Sequence, residues 1–177
     1  MKWPSRLPRA SKDIPLSAFT HSSKYRASIE ARLRAWPVWL ELLLALLVGA
    51  VHAQTFDGSD LWWLQIACVV LLAWRVMQSR ASRAALIGLA FGTAWQVAGT
   101  WWMYISMHDY GGLPAWMAGL SVLLLSAFLS LYLAAAMALF AHFRCGSVTL
   151  DALRFGACWL LAEIARAVLF TGFPWAA

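Results

Sequence analysis

The sequence predicts an all-α fold, a polytopic transmembrane helix bundle of about five spans with its N-terminus in the cytoplasm. Three observations lead there. Hydrophobic residues make up 62% of the 177 residues and charged residues 12%, against roughly half and a quarter in soluble domains. No Asp, Glu, Lys or Arg occurs between Asp109 and Arg144, a run longer than the ~20 apolar residues that cross a bilayer. Cation-bearing loops alternate with cation-free ones along the chain, which puts the cations on one side as the positive-inside rule requires. Helices are expected because lipid forces every backbone N–H and C=O to be paired within its own segment.

The elements follow in chain order. Residues 1–36 form a basic leader, read as a disordered cytoplasmic segment touching anionic headgroups. Eight of the fourteen cations lie in it (Lys2, Arg6, Arg9, Lys12, Lys24, Arg26, Arg32, Arg34). They are scattered among Ser and Pro with no stacking platform, so the net charge of +6 is not read as nucleic-acid binding. The second domain, residues 37–177, holds spans at about Pro37–Gln54, Leu61–Val76, Ala84–Ser106, Leu113–Phe143 and Ala152–Phe170. The second is short for a bilayer; the fourth is long, so tilt or projection beyond the lipid is expected.

Between the spans, the "FDGSD" turn (Phe56–Asp60) holds two Asp and no cation, and the next turn carries Arg75, Arg80 and Arg83. The "HDYGG" turn has no cation, and the loop after it carries Arg144 and Arg154. The "HDYGGLP" and "TGFPW" segments therefore face the side opposite the leader. "LLLALLVGAVHAQ" also fits a signal-peptide core cleaved after Ala53, but the leader is long for a signal and four more spans follow.

Few residues in this frame carry chemistry. Gly88 and Gly92 form a G-x-x-x-G on the third span, read as close packing within the chain in preference to a dimer interface. Glu163 and Arg166 lie three apart on one helix face. A lone Glu in hydrocarbon costs a few kcal/mol, so it should face protein or water and pair with Arg166. A buried structural pair is preferred there to a substrate contact. Glu41 sits near the cytoplasmic mouth of the first span and needs no special role.

Trp101, Trp102, Tyr104, Tyr110 and Trp116 gather at the outer interface as an aromatic belt. Gly111, Gly112 and Pro114 supply a tight return, Gly by positive φ and Pro by opening the next helix. His108 and Asp109 have neither a third partner nor a nucleophile for acid–base work. Cys68, Cys145 and Cys158 make no disulfide or zinc spacing, and the only lysines are in the leader. No catalytic centre, metal site or cofactor motif is visible in this chain.

"LIGLAFGTAWQVAGTWWMYISMHDYGGLPAW", "LSLYLAAAMALFA" and "WLLAEIARAVLFTGFPW", taken in order from about Ala45 to Trp175, resemble the membrane part of the apolipoprotein N-acyltransferase family. Its anchors are Trp102–Ser106, the Gly-Gly-x-Pro turn (Gly111–Pro114), Glu163, Arg166 and Thr171–Trp175. The match is poorest at "AQTFDGSDLWW". The resemblance implies an inner-membrane enzyme of eight transmembrane helices with a periplasmic nitrilase-like domain bearing a Glu-Lys-Cys triad. The Cys thiolate takes an acyl chain from a phospholipid donor as a thioester, which the α-amino group of a diacylglyceryl-cysteine apolipoprotein then attacks.

None of that triad has a matching position here, so the chain is expected to be the front part of such an enzyme and inactive alone. Tyr110, Phe173 and Trp175 are then candidates for the lipid-side rim through which the acyl chain enters. The rival class is a small non-enzymatic membrane protein, such as a transporter or channel subunit. It would need intramembrane polar residues converging from several spans, for which only Gln65, Gln96 and the Glu163–Arg166 pair qualify.

Overall fold

The computed structural model describes residues 36–55 and 61–169, and every described element is helical. The leader, the "FDGSD" turn and the "TGFPW" segment, with candidates Phe173 and Trp175, lie outside the described residues.

Helix α1 (Val38–Gln54) begins directly after Pro37, whose φ of −63° and ψ of 140° place it in the extended region. The Pro37 carbonyl accepts the backbone N–H of Leu40 at 3.1 Å and of Glu41 at 3.4 Å. A proline suits that position because the N–H it lacks would have no partner at a helix start. Helix α2 (Trp62–Val76) has 15 residues, about 22 Å at 1.5 Å per residue, short of a ~30 Å hydrocarbon core. Helix α3 (Ala81–Gly99) follows after a tight turn.

The third predicted segment is not one helix. Thr100 leaves helical geometry at φ −108° and ψ 16°, and its hydroxyl donates to the Gln96 carbonyl at 2.7 Å. That carbonyl also receives the Thr100 backbone N–H at 2.8 Å, and such threonine back-bonding bends helices. A short helix α4 (Trp101–Ile105) restarts at once and widens into a π-helical turn, Ser106–Tyr110. The turn closes with the Gly111 N–H on the Ser106 carbonyl at 3.0 Å.

The return differs from the expected one in detail. Gly111 is helical at φ −88°, and only Gly112 takes positive φ, +66°. Gly111 is instead needed for space, since a Cβ there would lie 2.7 Å from the Met107 carbonyl oxygen. Pro114 then opens α5 (Ala115–Phe143), its carbonyl accepting from Met117 at 2.9 Å and Ala118 at 3.1 Å.

α5 has 29 residues and, among the described residues, is the one helix long and apolar enough to cross a membrane. α1 and α2 are apolar but shorter. Helix α6 (Val148–Val168) starts four residues earlier than predicted, because Asp151 organises the loop ahead of it. The Asp151 carboxylate accepts the backbone N–H groups of Cys145 and Gly146, each at 2.8 Å, and Gly146 takes φ +83°.

Apart from the short α4, which buries none of its residues, the helices each bury a stripe. On α1 it is Glu41, Ala45, Gly49 and His52; on α3 it is Ala84, Ile87, Gly88, Phe91, Gly92 and Trp95. α5 packs on both α3 and α6, and α1 packs on α3. α2 touches α1 and α3 only sparsely.

Small residues permit the close approaches. A Cβ on Gly88 would lie 2.7 Å from Met137 Cγ, and one on Gly92 would lie 2.9 Å from Ser130 Oγ, so the G-x-x-x-G face of α3 meets α5 of the same chain. A Cβ on Gly49 would overlap the Phe91 carbonyl. The outward stripes carry large apolar residues such as Leu47, Leu124, Leu153 and Val168, far more than the apolar patches soluble monomers expose.

Candidate functional site

Two polar assemblies interrupt this apolar bundle, one near each end. The first lies among the final turns of α1, α3 and α6. On α3, Trp95 and Gln96 are buried, and Phe91 sits one turn below Trp95. Phe155 and Trp159 repeat the same i, i+4 spacing on α6. His52, at the end of α1, is inserted between them: its ring centroid lies 5.0 Å from Trp95, 5.4 Å from Phe91 and 6.5 Å from Trp159. Trp95 and Trp159 stack at 5.9 Å. Edge and offset contacts of this kind add to burial through the ring quadrupole.

Arg166 crowns the stack. Its guanidinium lies 5.6 Å from the Trp95 ring centroid, within cation–π range, and donates to the Glu163 carboxylate one turn back on α6. The Arg166 side chain is 6% exposed and that of Glu163 27%, so the carboxylate is the outward partner. Gln96, Ser130 and Tyr132 line the same seam. The two amide atoms of Gln96 are buried without a hydrogen-bond partner among the described residues. The remaining space is about 10 Å³, enough for one water molecule at most.

A solute path needs more room than that, although polar residues do converge here from α3, α5 and α6. Gln65, on α2, is not among the lining residues.

Beyond this seam lies the aromatic turn. Trp101 stacks on Tyr104 at 4.7 Å, and Tyr104 tilts against His108 at 5.5 Å. His108 Nδ1 lies 2.8 Å from the Leu113 carbonyl. A carbonyl only accepts, so that nitrogen carries the proton. Nε2 is 4.0 Å from Asp109, and both side chains are well exposed. The His108–Leu113 hydrogen bond therefore ties the two sides of the turn together. Tyr110 is 88% exposed and Trp116 70%; Gly111 and Gly112 are exposed beside them, with Pro114. Among the described residues, none of the turn lines the space beside the Glu163–Arg166 pair.

The second assembly is one that sequence reasoning missed. Glu41, assigned no role above, is buried at 3% exposure and is the hub of a charge network. It is paired with Arg75 of α2 and accepts from Arg83 Nε of α3 at 2.6 Å. Arg83 Nη2 also donates to the Trp36 carbonyl at 2.7 Å. The correction has a simple cause. One carboxylate in an apolar stripe, with arginines of two other helices at the same depth, is drawn inward to neutralise them.

Among the described residues no group of three or more His, Cys, Asp or Glu side chains could hold a metal ion. Cys68 and Cys158 are buried and Cys145 is exposed. Of these, the Cys145 thiol donates to Asp151 Oδ1 at 3.4 Å, and among the described residues the helices otherwise present a scaffold with exposed aromatic side chains at one turn.

Comparison with known proteins gives that scaffold its family. Residues 48–177 match the model of the apolipoprotein N-acyltransferase N-terminal domain. A protein named apolipoprotein N-acyltransferase from Verminephrobacter eiseniae is 50% identical over 152 residues, covering 81% of this chain and 28% of that protein. Its namesake from Ralstonia nicotianae is 46% identical over 136 residues, covering 75% of this chain and 26% of the relative. The namesake from Chromobacterium violaceum is 41% identical over 138 residues, covering 77% and 26%. The chain thus spans little more than a quarter of the length of these relatives, and it belongs to the apolipoprotein N-acyltransferase family, whose N-terminal domain it matches.

Proposed function

We propose that this chain is the membrane-embedded front part of an acyltransferase of lipoprotein maturation in the bacterial inner membrane. The reaction moves an acyl chain from a phospholipid to the α-amino group of an N-terminal diacylglyceryl-cysteine. The observation that carries this is the 50% identity over 152 residues to a relative of that name.

The leader is cytoplasmic, and five spans follow, corresponding to α1, α2, α3 with α4, α5, and α6. The Arg75–Arg83 corner and the Arg144–Arg154 loop lie inside, and the His108–Pro114 turn outside. Residues 1–36 are the leader domain and 37–177 the helical domain. Residues 1–177 are inactive by themselves, since no Glu-Lys-Cys triad can be matched to positions among them. Their contribution is to hold the lipid substrates at the outer face.

Both substrates are lipids, so their reactive groups must be met at the headgroup layer. Tyr110, Phe173 and Trp175 form the rim there, and the flat exposed aromatics of the turn support that role. The Glu163–Arg166 pair, clamped on Trp95, sets the position of the α6 end that leads into the "TGFPW" segment.

The experiment places the segment in a complete protein carrying the catalytic domain and supplies an acyl-labelled phospholipid with a diacylglyceryl lipopeptide. Labelled lipopeptide is expected from the complete protein and none from residues 1–177 alone. Alanine at Phe173 and Trp175 should slow acyl-enzyme formation about tenfold or more, the scale of lost substrate positioning. Unchanged rates at normal membrane levels would remove these two residues from the rim.

A further inference from the structure

A second cleft lies at the opposite end of the bundle from the aromatic turn, and the acyl-transfer chemistry gives it no task. It has a volume of about 220 Å³ and opens between α1, α2 and α3. Its walls are almost wholly apolar, with Leu44 and Val48 from α1, Leu71 and Trp74 from α2, and Ile87 and Phe91 from α3. Leu44, Leu71 and Trp74 are exposed, so the cleft faces outward instead of being sealed within the core. It runs along α1 from Glu41 to Val48, roughly 10 Å at 1.5 Å per residue, and it persists because α2 packs only sparsely on its neighbours.

The mouth of this cleft is charged. Glu41 and Arg75 border it. Among the described residues two guanidinium groups, Arg75 and Arg83, meet one carboxylate there, that of Glu41. The carboxylate side chain is 1% exposed while those of Arg75 and Arg83 are 12% and 21% exposed, so the cations are the outward partners. Arg80, one turn before Arg83, adds a further exposed cation. Trp36 and Trp74 flank the opening with rings suited to a headgroup layer.

An apolar slot one chain wide beneath a cationic, tryptophan-flanked mouth matches the chemistry of a single lipid class. We propose that it holds one acyl chain of an anionic phospholipid of the cytoplasmic leaflet, with the phosphate at Arg80, Arg83 and Arg75. Basic pockets between helices on that side recruit anionic headgroups by the same attraction. The occupant ties α2 to α1 and α3 where protein contacts are few, and it is distinct from the acyl donor at the outer face. The choice of leaflet rests on the orientation proposed above; the site itself does not.

The test uses the full chain in phosphatidylcholine vesicles containing a phosphatidylglycerol with a photoactivatable diazirine in its acyl chain. A phosphatidylcholine bearing the same chain is the control, and labelled peptides are mapped. Phosphatidylglycerol should label the segments around Leu44–Val48 and Leu71–Trp74 about fivefold more than the control, the ratio that roughly 1 kcal/mol of attraction gives. R80Q, which leaves the Glu41 network intact, should lower that ratio. V48F should abolish cleft labelling but not labelling along α5, and L44F, at an exposed wall position, gives the same reading if V48F does not fold.

Equal labelling by the two lipids, or labelling spread evenly over α5, would overturn the site. So would labelling that appears only after residues 1–35 are removed, which would give the cleft to that segment. Because the probe sits in both leaflets, a reversed orientation would leave the labelling unchanged, and absent labelling would leave the orientation standing.

Discussion

Replacing Glu41 by Gln would leave Arg75, whose side chain is 12% exposed, without its carboxylate in low-dielectric surroundings. Breaking a buried pair from one side costs about 3 kcal/mol or more. E41Q should therefore lower the thermal midpoint of the detergent-solubilised chain far more than R83Q, since Arg83 is the more exposed partner. Equal effects would mean that burial does not set the value of this network. Asp151, ahead of the proposed last span, gives a pH signature. The backbone N–H of Cys145 holds its carboxyl below the ordinary value of 3.8, helped by the Gly146 N–H, the Cys145 thiol and Arg154 and opposed by burial. A depressed folded value means that the stabilisation is present above about pH 4 and is lost as pH falls through the folded value. Wild type should exceed D151N in stability at neutral pH, and the two should converge in acid; a constant difference across that range would contradict the assignment. Neither role was visible from composition: that of Glu41 depends on how three helices pack, and that of Asp151 on a local turn that aims two backbone N–H groups at its carboxylate.

At the scale of elements, the two ways in which glycine serves this fold predict different costs. A Cβ on Gly112 would meet only open space, but the backbone there has a φ of +66°, so G112A should cost about 1 kcal/mol, the left-handed penalty of an L-residue. Gly88 has ordinary helical geometry but a neighbour at 2.7 Å, so G88V should cost roughly 1–3 kcal/mol by overpacking α3 against α5. Thermal or denaturant titration in one detergent checks both, and a neutral G88V would place the seam elsewhere. Most element boundaries were legible in the sequence. Pro37 and Pro114 mark starts, and the apolar run from Leu113 to Phe143 is unbroken by charge. The interruption at Thr100 and the π-helical turn were not. They arise from a hydroxyl competing for the Gln96 carbonyl, and hydrophobic periodicity does not register a hydrogen bond. The aromatic stack on His52 left a trace in the i, i+4 pairs Phe91–Trp95 and Phe155–Trp159, but only packing shows that they face each other.

For the whole molecule, the central claim is a chain embedded in the membrane with its arginine-rich corners inside and its aromatic turn outside. The outer rim proposed for acyl transfer and the leaflet proposed for the anionic lipid both rest on that arrangement. The family was readable from ordered motifs alone, since Trp102–Ser106, Gly111–Pro114 and Thr171–Trp175 recur at compatible spacing. The charge network was not, because Glu41 and its arginines are far apart in sequence. A membrane-impermeant maleimide applied to intact cells tests the arrangement most directly. The exposed native Cys145 lies in the loop assigned to the cytoplasm, while Cys68 and Cys158 are buried. With D109C introduced into the exposed turn, position 109 should react in intact cells and Cys145 only after the membrane is opened. Reaction of Cys145 in intact cells, with position 109 protected, would contradict the account.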